Sequence, residues 1–338
     1  MKKKGYKIIQ FIVLLLIGAG LMYLAFAGKD LAKMMNDILN ARYSWVILSL
    51  IFSMFAYTSR AMRWNMLIVP LGFKPRLFNT FWALLFGYFA NLAIPRMGEV
   101  SRCGALSRTE KIPFERLLGT VIVERIIDVL TLAILIIVVA IMQLARLREL
   151  LMQVFSHGMY PAHNSLIMVL QSYYFILLIV APFFGLLFLY LFLKSGKKSG
   201  SKLVIKIFNL LNGMGEGLRS VLKMKNTWLF LLHTIFIWFM YFAVAYSCFF
   251  SIDATSGLGI EAGIFTLTVG GLGMTAPVQG GFGAYHILVS KGLTLFGISE
   301  SDGLVLATII HTSQTVLVLL LGSISTIFIF TSKKIIPK

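Results

Sequence analysis

Apolar runs of about 20 residues recur along the whole chain, and nothing else in the sequence restricts its fold so strongly. As a helix rising 1.5 Å per residue, each run covers a hydrocarbon core about 30 Å thick. Composition agrees: 58% of the 338 residues are hydrophobic and 13% charged, with a mean hydropathy of +0.87, whereas soluble domains carry roughly 25% charged residues. The expected fold class is an all-α polytopic membrane protein, one integral membrane domain over 1–338. The longest weakly apolar stretch, Lys194 to Lys225, has 32 residues and is too short for an appended soluble domain.

The runs read as Ile8 to Ala27, Ser44 to Ser59 (extending toward Val69), Phe78 to Ile94, Leu117 to Ala145, Ile167 to Leu193, Thr227 to Phe250, Gly263 to Ala276 and Gly303 to Thr331, with a glycine-rich, moderately apolar stretch from Gly280 to Gly297. The first run follows Lys2, Lys3, Lys4 and Lys7 as a signal peptide's would. It exceeds the usual signal core, so an uncleaved first span is expected.

The net charge of +18 does not point to nucleic acid, because the basic residues form short clusters between apolar runs and carry no aromatic-studded face. It points to topology. Lys and Arg of short loops stay cytoplasmic. If Phe78 to Ile94 dips in and returns to its own side, and Gly263 to Gly297 does likewise, 22 of the 31 basic residues become cytoplasmic and six lie outside. Arg96, Arg102 and Arg125 then sit at membrane depth. The expectation is six full spans plus two re-entrant segments broken by Pro and Gly, with both termini cytoplasmic in a bacterial inner membrane. Cys103 and Cys248 are too few for a disulfide framework and lack metal-ligand spacing.

A weak self-similarity recurs at an offset of about 182 residues. Trp45 answers Trp228, and Pro95 with Gly98 answers Pro277 with Gly280. Each half, about 1–150 and about 165–335, reads span, span, re-entrant segment, span. Three spans is an odd number, so the second half enters upside down. Inverted repeats whose broken helices meet near the midplane are common in transporters, and the interrupted segments point to the site.

Three constellations could carry chemistry. In the first, Asn91, Pro95, Arg96, Gly98, Glu99 and Arg102, proline breaks the helix and glycine permits a turn, so a half-helix starts there. Its N-terminus suits a phosphate or carboxylate, and Arg96, Glu99 and Arg102 recur every three residues, broadly on one face. The second is Glu124, Arg125 and Asp128, whose insertion unpaired would lose nearly 10 kcal/mol at about 2.5–3.5 kcal/mol each. They must face protein or water, and a structural charge network and a substrate or proton path both fit. The third is Gln279, Gly280, Gly281, Gly283 and His286, where glycines permit close approach to a helix or a ligand. His286 and His311 could relay protons or be satisfied buried histidines. No nucleophile elbow, Walker loop or HExxH motif occurs, so hydrolase, nucleotide-driven and zinc-protease readings have no support, and no cofactor or metal is expected.

At Asn91, Pro95, Arg96, Gly98, Glu99, Arg102, Glu124, Arg125, Asp128, Pro277, Gly280, Gly281 and Gly283 the chain resembles the flippase-like membrane domain family of lysylphosphatidylglycerol synthases and their stand-alone relatives. The resemblance covers nearly the whole chain. It implies an inner-membrane protein that moves a phospholipid or lipid-linked group between leaflets. Many relatives look like Pro-Gly-Gly with a Glu a few residues on, where this chain has Gln279 and His286, so lysyl-lipid specificity is not implied. Nothing in these 338 residues resembles the aminoacylating domain, so synthase activity is not implied either. The leading expectation is a lipid flippase or transporter acting on membrane phospholipids, anionic ones foremost, with a homo-oligomer as an allowed assembly. A secondary transporter of a small soluble anion and a non-transporting membrane scaffold are the alternatives.

Overall fold

The computed structural model describes residues 2–157 and 224–331, with side chains over 11–143 and 224–331. Every regular element among the described residues is helical. In chain order the helices are α1 (Lys2–Phe26), α2 (Leu31–Leu39), α3 (Tyr43–Ile68), α4 (Leu77–Ala93), α5 (Gly98–Glu110), α6 (Phe114–His157), α7 (Thr227–Phe249), α8 (Ile260–Thr275), α9 (Ala284–Leu293) and α10 (Glu300–Thr331). The expected run Ile167 to Leu193 and most of the basic loop after it lie outside the described residues. The chain divides into two compact units, Met1–Ile122 with Lys225–Lys338, and Val123–Met224.

Four segments, Tyr43–Leu71, Phe114–Gln143, Thr227–Phe249 and Glu300–Thr331, are long and apolar enough to cross a membrane. The bent pair Phe11–Phe26 and Leu31–Leu39, turning by 93°, makes a fifth candidate. Their outer faces are apolar: Ile47, Ile51 and Phe55 on α3, Ile134 and Ile141 on α6, and Leu320, Ile324 and Ile327 on α10 are all exposed. Spaced by three, four or seven residues, they form stripes that lipid tails cover and water would not.

The two segments expected to dip form helical hairpins. α4 has 17 residues and α5 has 13, about 25 Å and 20 Å, each short of a hydrocarbon core. Their register is antiparallel. At the open end, Glu110 Oε1 accepts from the Arg76 backbone N–H at 3.0 Å and from Asn79 Nδ2 at 2.6 Å. At the closed end, Asn91 Oδ1 accepts from the Gly98 N–H at 2.6 Å. The second hairpin, α8 and α9, repeats the plan. Gly273 lies against the Tyr285 backbone, and Gly292 against the Phe265 ring.

The long helices that precede the hairpins, α3 and α7, pack against each other. Trp45 stacks near Phe250 with ring centres 4.8 Å apart, while Arg63 Nη1 donates to Thr234 Oγ1 at 3.2 Å. These two helices are therefore antiparallel, the arrangement that an inverted repeat would produce. The openings Tyr43, Leu77, Gly98 and Phe114 are matched in order by Thr227, Ile260, Ala284 and Glu300.

Two differences from the sequence reading have clear causes. Counting 22 cytoplasmic basic residues puts the segment 60–77, with Arg60 and Arg63, in a cytoplasmic loop, but α3 continues to Ile68 and both side chains are buried. A hydropathy window ends a span at such residues; the tertiary partners Tyr241 and Thr234 keep them inside. The nine-residue α2 was not expected. Asp30 caps it by accepting from the Lys33 N–H at 3.0 Å, and its buried Met34 anchors it.

Candidate functional site

The first broken segment is built by Pro95. With no amide hydrogen and with its ring set against continued helix, it ends α4 at Ala93, and the chain turns through Ile94–Met97. Arg96 takes a left-handed backbone conformation, φ +64°, which costs a non-glycine residue on the order of 1 kcal/mol or more. α5 starts only at Gly98, so Arg96 precedes the helix and is exposed, while Glu99 and Arg102 are helical. Arg96, Glu99 and Arg102 therefore do not share one helical face as their spacing predicted. The half-helix N-terminus is also partly occupied, because Asn91 already receives the Gly98 N–H and Glu99 lies in the first turn, where a carboxylate complements the dipole. Gly98 itself is obligatory. A Cβ there would fall 2.4 Å from the Gly87 carbonyl oxygen and 2.4 Å from Asn91 Nδ2.

Arg102 is buried with its guanidinium carbon 4.7 Å from the centre of the Trp64 ring. The Trp64 indole N–H donates to Thr120 Oγ1 at 2.9 Å, which fixes the ring. One turn along α3 lie Arg60 and Arg63. Arg60 Nη1 donates to Tyr241 Oη at 3.0 Å and sits 5.7 Å from the Tyr88 ring centre; Arg63 sits 5.7 Å from the Phe230 ring centre. Sequence reasoning found Arg102 and missed Arg60 and Arg63. Three buried guanidiniums thus lie among aromatic rings on α3 and α5, although a charge at the centre of a span costs about 2.5–3.5 kcal/mol on insertion scales.

The second broken segment follows Pro277. Its tip contains three left-handed glycines, Gly280 (φ +54°), Gly281 (φ +75°) and Gly283 (φ +79°). Gly283 also admits α1: a Cβ there would meet Leu21 Cβ at 2.4 Å. Gln279 grips the same helix, with its amide turned so that Nε2 donates to the Leu14 carbonyl at 3.1 Å and Oε1 accepts from the Leu15 N–H at 3.2 Å. The glycine density serves backbone conformation and close packing. The two tips meet, since the Cβ position of Gly280 lies 3.0 Å from Leu92 Cδ2 at the end of α4.

His286 is fully buried in α9, and its ring centre lies 5.0 Å from that of His311 on α10. His311 Nε2 lies 2.7 Å from the Gly280 carbonyl oxygen. A carbonyl can only accept, so this nitrogen carries the hydrogen.

In the other unit, Arg125 Nη2 lies between two carboxylates, 3.2 Å from Glu124 Oε1 and 3.3 Å from Asp128 Oδ2. Glu124 is buried. The three expected neighbours do come together, and one guanidinium nitrogen serves both acids. Among the described residues no group of three or more His, Cys, Asp or Glu could hold a metal ion.

Comparison with known proteins accords with this architecture. A family model described as the lysylphosphatidylglycerol synthase TM region matches residues 10–322. The UPF0104 membrane protein of Methanocaldococcus jannaschii is 33% identical over 124 residues, 36% of this chain. That match spans 34%, about a third, of the relative's own length. No solved structure matches. With the family model covering nearly the whole chain, the protein belongs to the lysylphosphatidylglycerol synthase transmembrane-region family of multi-pass membrane proteins.

Proposed function

We propose that the protein moves an anionic phospholipid, or a lipid carrying a phosphate-linked group, between the leaflets of a cytoplasmic membrane. The observation that carries this reading is the burial of Arg60, Arg63 and Arg102 among aromatic rings within the helices. Charges this costly inside a span point to binding or transport. Arginine's planar fork grips phosphate bidentately, and the Tyr88, Phe230 and Trp64 rings beside Arg60, Arg63 and Arg102 hold the guanidiniums inside the helices. The paired hairpins would supply the moving parts, because their tips meet at Leu92 and the glycine turn, outside the long helices. Exposed Arg96 at the first tip meets the headgroup first. Basic loops add attraction to anionic lipid, roughly 1 kcal/mol per charge near the surface. Membership of a family named for a lipid synthase's membrane region supports a lipid substrate.

The experiment is leaflet exchange of labelled phospholipids by purified protein in liposomes, with Arg63→Ala and Arg102→Ala beside the unaltered chain. Exchange should fall at least tenfold, the loss expected for one charge-assisted phosphate contact worth about 1.5–3 kcal/mol, while size-exclusion profiles stay unchanged. Exchange that persists in both variants removes the arginines from the site. Uptake of a soluble anion without lipid exchange would favour the small-anion transporter.

A further inference from the structure

The histidine pair behind the second hairpin tip is not needed to hold a phosphate, and its chemistry points elsewhere. His286 is 0% exposed, and neither of its ring nitrogens has a hydrogen-bond partner among the described residues. His311 uses Nε2–H on the Gly280 carbonyl, which leaves Nδ1 with its lone pair, buried and likewise without a partner. Leaving such a nitrogen unsatisfied is costly, and buried polar groups of this kind call for a guest or a second state. Two buried imidazoles with ring centres 5.0 Å apart, each with a basic nitrogen lacking a partner among the described residues, have an obvious guest in a proton.

The surroundings agree. The groups packed around the pair that can titrate are Tyr285, whose ring centre is 6.0 Å from that of His286 and 5.2 Å from that of His311, and Cys248 of α7, which interacts with Tyr285. The opposing side of α1 presents Phe26, 6.4 Å from His286. The charged residues of the packed helices, Glu261 on α8, Lys291 on α9, and Glu300 and Asp302 on α10, stand toward the helix ends away from the tip. No described carboxylate therefore neutralises a proton placed on the pair, so its arrival changes the local charge by a full unit. His311 lies eleven residues into α10, about 16 Å along the axis, close to the middle of a core about 30 Å thick. Next on the same face is Gln314, which accepts from Ser53 Oγ of α3 at 2.7 Å and extends a polar line toward that helix.

We infer that protons are the coupling ion and that His286 and His311 are their binding site, with the Gly280 carbonyl as the link from that site to the hairpin tip. This rests on the lipid-transport reading above. A proton from the aqueous phase bonds to His311 Nδ1 or to the bare nitrogen of His286. On His311 it makes the bond to Gly280 charge-assisted and tightens the tip; on His286 it sets a cation 5.0 Å from the His311 ring centre, which polarises the same Nε2–H donor. Either way the occupied and empty states differ at Gly280, the residue that touches Leu92 of the other hairpin, and differential binding to two states is what a coupled transporter requires.

The test uses the full chain in liposomes holding labelled anionic phospholipid, with and without a pH gradient. One proton per lipid shifts the steady-state leaflet ratio by up to about tenfold per pH unit, and His286→Gln and His311→Gln should abolish that shift. Lipid exchange that ignores the gradient in the unaltered chain overturns the proton inference and leaves lipid transport standing. If no lipid moves under either condition, the lipid reading fails, and nitrogen NMR of histidine-labelled protein in nanodiscs decides the inference separately. Signals removed by His286→Gln and His311→Gln that pass from neutral to protonated as the pH is lowered support it. Signals that stay neutral throughout overturn it. Monodisperse elution of both variants excludes misfolding as the cause.

Discussion

Arg102 rests on Trp64, its guanidinium carbon 4.7 Å from the ring centre, and so ties the first hairpin to the long helix α3. Around this contact packs a buried cluster that includes Ile68, Ala83, Cys103, Leu106, Leu117 and Ile329. Replacing Trp64 with Leu removes the ring beneath the cation, the hydrogen bond to Thr120 and much of the cluster's filling. Thermal stability in detergent should drop by about 3 kcal/mol or more, the range for truncating a buried aromatic. Trp64→Phe keeps the ring without the N–H and should recover most of that loss. Equal stability of Trp64→Leu and the unaltered chain would show that the contact is incidental.

The first hairpin's closed end should be intolerant of added volume. Gly98→Ala places a methyl 2.4 Å from the Gly87 carbonyl oxygen, and a backbone atom cannot move aside as a flexible side chain would. Overpacking of this kind costs about 1–3 kcal/mol. Asn91→Ala removes the cap on the Gly98 N–H and should cost about 1 kcal/mol, whereas Asn91→Asp keeps an acceptor and should be milder. Differential scanning fluorimetry of the three variants ranks them directly.

Arg125 should matter as a shared partner more than as a charge. One of its nitrogens reaches both Glu124 and Asp128, and Glu124 is fully buried, so removing the cation takes the counter-charge from a buried carboxylate. Arg125→Gln should lower the melting temperature by a few degrees. Arg125→Gln combined with Glu124→Gln should recover part of that loss, since it removes a buried charge with its partner. A melting temperature lower for the double variant than for either single would contradict the pairing.

Contact between the tips predicts a conditional cross-link. Leu92→Cys with Gly280→Cys, in a chain whose buried Cys103 and Cys248 are replaced by Ser, should form a disulfide under mild oxidant. If the tips must part during transport, oxidation stops exchange and reduction restores it. Undiminished exchange by the oxidised protein would show that the tips do not gate.

Sequence patterns went far where a local cause set the structure. Pro95 and Pro277 end their helices in the sequence as in the structure, and the runs opening at Ser44 and Thr227 start within a residue of α3 and α7. What local pattern could not supply was tertiary pairing. Arg60 and Arg63 read as the charged edge of a loop because partners distant in sequence, Tyr241 and Thr234 among them, hold them inside. Arg96 was placed on a face with Arg102 because spacing assumes a helix, and the left-handed turn at Arg96 comes before the helix begins. The glycines around Gly280 signalled close approach without naming what approaches, which proved to be α1, Leu92 and His311.

The most direct measurement is the rate at which headgroup-labelled phosphatidylglycerol becomes accessible to a membrane-impermeant quencher, in liposomes with the purified protein against protein-free liposomes. Exchange is predicted to reach the inner leaflet's label only with protein present, to favour anionic over zwitterionic headgroups, and to collapse in Arg102→Ala. Label that stays protected at the protein-free rate, for every headgroup and with or without a pH gradient, would contradict lipid transport.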